Sequence, residues 1–115
     1  MATNYAHGHH AEKVAADYIS DRGYEILGLN WKTKWCEIDI IAKKDRVIYL
    51  IEVKYRKTNA QGEGLDYITP NKMKQMQFAA DLWVYQYDWD GEYQLAAIEV
   101  SGDSFRVTNF VTEYM

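Results

Sequence analysis

Only one of the 115 residues is a cysteine, Cys36, and only one is a proline, Pro70. A lone thiol excludes a disulfide framework and any zinc site built on several cysteines. One proline and seven glycines exclude a collagen-like or low-complexity chain. Long apolar runs are missing too. The longest, Val47-Ile48-Tyr49-Leu50-Ile51, falls far short of the roughly 18 residues that span a bilayer. The opening Met1-Ala2-Thr3-Asn4-Tyr5 has no basic start and no apolar stretch, so no secretory signal and a cytoplasmic protein without a membrane segment are expected. What is present is 48% apolar and 15% aromatic residues, too much for a disordered linker. A chain of this length buries roughly two-thirds of its unfolded surface. A single domain over residues 1–115 is expected.

The net charge of −4 argues against a protein that merely coats nucleic acid. The charge is unevenly spread, however. Between Lys32 and Lys74 ten Lys/Arg face six Asp/Glu, a net of +4, whereas the remainder carries −8. A basic middle segment is either a solvated surface or the place where an anionic partner binds.

The hydrophobic pattern orders the elements. Ala11, Val14, Ala15, Tyr18 and Ile19 recur at helical spacing, predicting a helix over 9–22 that Gly23 stops. Strands are expected over 24–31, 36–42 and 47–54, with Lys43-Lys44-Asp45-Arg46 as a hairpin turn. Residues 57–66 read as a loop. Thr69-Pro70 reads as an N-cap followed by proline at the first helical position. The helix it opens runs to about Tyr87, with Met73, Met76, Ala80, Trp83, Val84 and Tyr87 on one face. Two further strands, 93–100 and 105–111, turn at Ser101-Gly102-Asp103-Ser104. The order α-β-β-β-α-β-β implies one mixed sheet with helices packed on it.

Chemistry concentrates in Glu37-Ile38-Asp39-Ile40-Ile41-Ala42 and Glu52-Val53-Lys54. Side chains alternate between the two faces of a strand. An even-numbered hairpin loop would therefore put Asp39, Glu52 and Lys54 on one face. Ile38, Ile40, Ala42, Val47, Tyr49, Ile51 and Val53 would form a purely apolar opposite face. Two neighbouring carboxylates repel, and burying them is expensive without a partner. A divalent cation such as Mg²⁺ removes the repulsion, since it takes oxygen ligands at about 2.1 Å and keeps several waters. A structural ion-pair network centred on Lys54 is the alternative. Glu12, whose neighbours Ala15 and Ala16 let another element approach, would reach the pair from the first helix or stand solvated.

These residues resemble the PD-(D/E)XK nuclease pattern, and more closely the YraN-like family of predicted endonucleases in that superfamily. Archaeal Holliday-junction resolvases are similar. The likeness runs over about residues 8–85: Gly8 and Glu12, Gly23-Tyr24, Asn30, Glu37 to Ala42, Ile51-Glu52-Val53-Lys54 with Arg56, then Thr69 and Lys72. It implies a restriction-endonuclease-like α/β core and Mg²⁺- or Mn²⁺-dependent hydrolysis of DNA phosphodiester bonds, in branched or otherwise structured DNA. By matched position, Asp39 and Glu52 would be the metal ligands, Lys54 would stand beside the attacking water, and Glu12 would assist. Two departures stand out: Cys36 replaces the family's usual glycine, and Tyr93-Gln94-Leu95-Ala96-Ala97 lacks its usual Arg and Asp.

Lys72 falls in the first turn of its helix, where the macrodipole disfavours a cation. A phosphate contact shared with Arg56 and Lys74 would account for it; a solvated lysine is the plainer reading. His7, His9 and His10 sit in an N-terminal stretch prone to fraying and read as incidental, and Cys36 reads as a small core residue. Other expectations stay open: a homodimer, and a non-catalytic nucleic-acid-binding or protein-interaction module on the same fold.

Overall fold

The structure is a computed structural model that describes residues 2–57 and 68–113, with backbone alone for residues 2–7. The expected loop at 57–66 lies, beyond Lys57, outside the described residues, as does the side chain of His7.

The elements follow the expected order: α1 (Ala2–Ser20), β1 (Glu25–Lys32), β2 (Glu37–Lys44), β3 (Val47–Arg56), α2 (Pro70–Gln86), β4 (Glu92–Ser101) and β5 (Arg106–Val111). They build a mixed α/β fold, one five-stranded sheet flanked by two helices, compatible with a restriction-endonuclease-like core. α1 starts earlier than the apolar spacing alone predicts. It ends at Ser20, and the turn that follows closes on Gly23, whose φ of +93° suits a residue without a Cβ. Bonds from Gly23 N–H to Ser20 O and from Tyr24 N–H to Ile19 O close the last turn. α2 opens as expected, with Thr69 Oγ1 accepting from Lys72 N–H.

The sheet order is β1-β2-β3-β4-β5. β1/β2, β2/β3 and β4/β5 are antiparallel; β3/β4 is parallel, and α2 lies in the crossover between them. Lys44 pairs with Val47, so the β2–β3 loop is the two residues Asp45-Arg46, both at positive φ as a type I′ turn requires. The loop is even-numbered.

Each helix covers one face. On the α1 side Ala11, Ala15, Ala16 and Ile19 pack against Ile40, Ala42, Ile51, Ala96, Ile98 and Val100. On the α2 side Met76, Ala79, Ala80 and Trp83 pack against Ile41, Ile48, Leu50 and Leu95. Two apolar expectations need correction. Ile38 joins the α2-side cluster with Ile41, three residues away, so simple alternation breaks between them. Tyr87 is exposed and stacks on Trp83 at 4.9 Å, because it caps the helix beyond the covered face.

Candidate functional site

The break in alternation lies where β2 and β3 part. Their ladder runs from Lys44↔Val47 to Ile40↔Ile51 and stops there. Beyond it Val53 N–H, which would otherwise lack a ladder partner on that side, donates to Asp39 Oδ2 at 2.8 Å. The Asp39 side chain thus stands in for a main-chain carbonyl and lies in the seam between the strands, 8% exposed. It is not one tooth of a flat polar stripe, as parity alone suggests.

Carboxylates approach that seam from several directions. Glu52, one residue before Val53 on β3, is on the α2 side, where Lys72 Nζ meets its Oε2 at 3.0 Å. Glu12 comes from α1; its Oε1 is buried and finds no hydrogen-bond partner among the described residues. Burial, then the charge of Glu52, then those of Glu12 and Glu37 push the Asp39 carboxyl up to about 7, against the lowering effect of the Val53 bond. Burial and like charge both disfavour the ionised carboxylate, and together they outweigh the one bond that favours it.

The structure therefore brings Asp39, Glu52 and Glu12 into one neighbourhood, built from β2, β3 and α1. Lys54 follows two residues after Glu52 and is exposed; strand alternation puts it on the α2 side with Glu52. Among the described residues no three His, Cys, Asp or Glu side chains form a ready-made metal cage. Mg²⁺ does not demand one, because it is commonly held by one or two carboxylates plus waters. A buried Glu12 oxygen without a hydrogen-bond partner among the described residues, close to an Asp39 carboxyl raised by its neighbours, fits a site for a divalent cation. Asp39 and Glu52 would hold it, with Glu12 behind them.

The expected phosphate contacts divide. Lys72 is tied to Glu52, and that pair offsets the unfavourable place of a lysine in the first turn of α2. Lys74 is exposed on the rim of a cleft of about 560 Å³ whose wall includes Glu37, Glu52 and Lys72. Arg56 is a correction. It is 9% exposed and forms an ion pair with Glu99 of β4, so it braces the sheet instead of facing a ligand. Glu99 also accepts from Thr108 Oγ1 at 2.9 Å, and Thr108 lies 3.0 Å from Ser101 Oγ. Reading the chain missed Glu99, because its partner lies 43 positions earlier. Only the apolar run around a single acid, Ala96-Ala97-Ile98-Glu99-Val100, signalled a buried charge. Cys36 is partly buried beside the cleft, its Sγ 3.5 Å from Thr33 Oγ1. His10 sits edge-on to Phe105, ring centres 4.4 Å apart.

Residues 11–105, a span that includes every residue of the seam, match the family described as "Uncharacterised protein family UPF0102". This chain belongs to the UPF0102 family. A UPF0102 protein of Campylobacter fetus subsp. fetus is 38% identical over 94 residues, which cover 82% of each chain. Another, from Tropheryma whipplei, is 40% identical over 88 residues, 73% of this chain and 69% of the relative. A UPF0102 protein of Flavobacterium johnsoniae is 27% identical over 120 residues, 99% and 98% of the two chains. These UPF0102 relatives align with the chain over most of their own length. Among the described residues no helix is long and apolar enough to cross a membrane.

Proposed function

We propose that this UPF0102 chain is a metal-dependent nuclease of the PD-(D/E)XK kind, hydrolysing phosphodiester bonds in DNA, with structured or branched DNA as its substrate class. The observation that carries the reading is the strand seam, where Asp39 is buried, bonded to Val53 N–H and raised to about 7 by its carboxylate neighbours. Titratable groups perturbed by burial and specific neighbours, set beside a cleft, are what catalytic sites are made of.

Asp39 and Glu52 would hold Mg²⁺ or Mn²⁺, which when bound polarises a phosphoryl oxygen and acidifies a water. The Val53 N–H fixes the Asp39 carboxylate, so one ligand is preorganised by the sheet itself. Lys54 would orient the attacking water and offset charge developing on the phosphate. Glu12 would add negative charge behind Asp39, sharpening its demand for a cation. Lys72, paired with Glu52, would hold that carboxylate in place and offer positive charge to a nearby phosphate.

The second reading is a non-catalytic nucleic-acid-binding or protein-interaction module. The Glu52–Lys72 ion pair favours it, because that contact satisfies Glu52 without metal. Cleavage assays separate the two. Labelled duplex, flap, junction and single-stranded DNAs are incubated with Mn²⁺ and the parent, Lys54→Ala or Lys54→Arg. The nuclease reading expects the parent to cut at least one of them. Both variants should lose about 10²-fold or more in rate, because a planar guanidinium does not replace a compact ammonium beside a water. Cleavage by the alanine variant at the parent's rate removes Lys54 from the mechanism. No cleavage of any DNA by the parent favours the module.

A further inference from the structure

The cleft beside the seam carries a feature that metal-dependent hydrolysis does not use. Two large aromatic side chains stand on its rim with their rings in solvent: Trp35, 67% exposed, and Phe78, 52% exposed. Single exposed apolar residues are ordinary. Two lining one cleft from different elements, together with the carboxylates of Glu37 and Glu52, are not.

The walls are differently made and both are firm. Trp35 belongs to the β1–β2 connection, where Thr33 Oγ1 accepts from the N–H groups of Trp35 and Cys36 at 3.1 and 3.2 Å. Thr33 N–H in turn donates to Cys36 O at 2.9 Å. The indole is therefore presented by a closed turn, and Lys34 Nζ sits 5.1 Å from its ring centre. Phe78 is on α2, one turn after Lys74, so a cation and a ring share one stripe of that helix. Lys72 and Lys74 line the same cleft, and Glu52 lies on its wall.

Aromatic rings flanked by lysines are the elements with which proteins hold unpaired nucleic acid: bases stack on the rings and phosphates meet the cations. Bases inside a duplex are already stacked on each other and present no free face. A volume of about 560 Å³ is that of a small-ligand cleft, of roughly 300–1,000 Å³, and it suits one or two splayed nucleotides. We infer that the cleft between the β1–β2 turn and α2 is a subsite for a single-stranded DNA segment, with Trp35 and Phe78 as stacking platforms and Lys72 and Lys74 on its phosphates. This inference rests on the nuclease reading, which it deepens. The chain would act where a strand leaves a duplex, and the subsite would seat that strand beside the Asp39–Glu52 seam.

Fluorescence anisotropy in EDTA tests binding apart from cleavage. Labelled dT12, rU12 and a blunt 12-base-pair duplex are titrated with the parent, Trp35→Ala, Trp35→Phe, Phe78→Ala and the control Tyr85→Ala. Tyr85 is an exposed aromatic on α2 outside the cleft. The parent should bind dT12 tighter than the duplex. Trp35→Ala and Phe78→Ala should each weaken dT12 binding by about fivefold or more, the low end expected for losing one stacked base. Trp35→Phe and Tyr85→Ala should stay near the parent. All these side chains are solvent-exposed, so thermal melts should match and exclude misfolding. Unchanged dT12 affinity in both alanine variants overturns the inference, as does tighter binding of duplex or of rU12. A parallel cleavage arm in Mn²⁺ keeps the two readings distinct. Ring-dependent dT12 binding without cleavage sinks the nuclease and leaves the subsite. Cleavage with ring-independent binding does the reverse.

Discussion

Asp39 concentrates the chemistry of the molecule in one carboxyl group. In the folded chain it keeps its proton up to about pH 7, against an ordinary value of 3.8. The native state therefore binds one more proton than the unfolded chain between about pH 4 and pH 7. Stability from this group falls as pH rises through that window, and the full penalty is present above it. A shift of about three pH units corresponds to a few kcal/mol. Asp39→Asn keeps an oxygen that accepts from Val53 N–H and removes the charge. In EDTA at pH 8 it should be more stable than the parent, by on the order of 1–3 kcal/mol in urea melts, and near the parent at pH 4. A structural ion-pair network predicts the opposite sign at pH 8, because loss of the acid would leave lysine poorly paired. Glu12, buried and unpartnered at one oxygen, belongs to the same local cost, which a functional site commonly carries.

At the scale of the elements, β3 is the organising strand. It pairs with β2 on one side as far as Ile51 and with β4 on the other over its whole length, Val47 to Arg56. The stretch paired on only one side is where Glu52 and Lys54 stand. Its far end is clamped by the ion pair from Arg56 to Glu99 and by Gly102 N–H donating to Arg56 O at 2.9 Å. Arg56→Ala should destabilise the chain by about 3–5 kcal/mol in urea melts, since it strands a buried carboxylate. Arg56→Ala paired with Glu99→Ala should cost less than the single change. A loss of DNA affinity from Arg56→Ala with no loss of stability would return the residue to the phosphate contact first expected of it.

Much of this layout was legible. Periodicity placed the helices and strands, because local spacing reports burial directly. The short polar segment signalled the hairpin but left its parity open; pairing carries β2 through Lys43 and Lys44 and leaves the two-residue loop Asp45-Arg46. Three features were not legible, and each depends on distance in sequence. The face of Ile38 depends on where the β2–β3 ladder stops. The Arg56–Glu99 pair depends on the parallel register of β3 with β4. The hold of Lys72 on Glu52 depends on how far α2 sits from the sheet. No local pattern encodes any of these.

At the scale of the whole molecule, a net charge of −4 and a basic segment over Lys32–Lys74 are reconciled by placement. Lys34, Lys54, Lys72 and Lys74 lie on strands, turn and helix close to the seam or its cleft, while the excess acids are spread over the remainder. A bound divalent cation would shift the local balance further toward an anionic ligand. Both faces of the sheet carry an apolar core. Glu12 of α1 approaches from one side, and the other also bears the cleft beside α2. The seam in β2–β3 is where both meet.

The central claim is that this seam binds a divalent cation through Asp39. Thermal melts of the parent and of Asp39→Asn, each in EDTA and across a titration of Mg²⁺ and Mn²⁺, test it most directly. Binding to the folded state alone stabilises by about 2.7 kcal/mol at a hundredfold excess over the dissociation constant. The parent's melting temperature should rise and saturate with metal, and that of Asp39→Asn should stay at its EDTA value. A parent indifferent to both metals, or a variant stabilised as much as the parent, would contradict the claim.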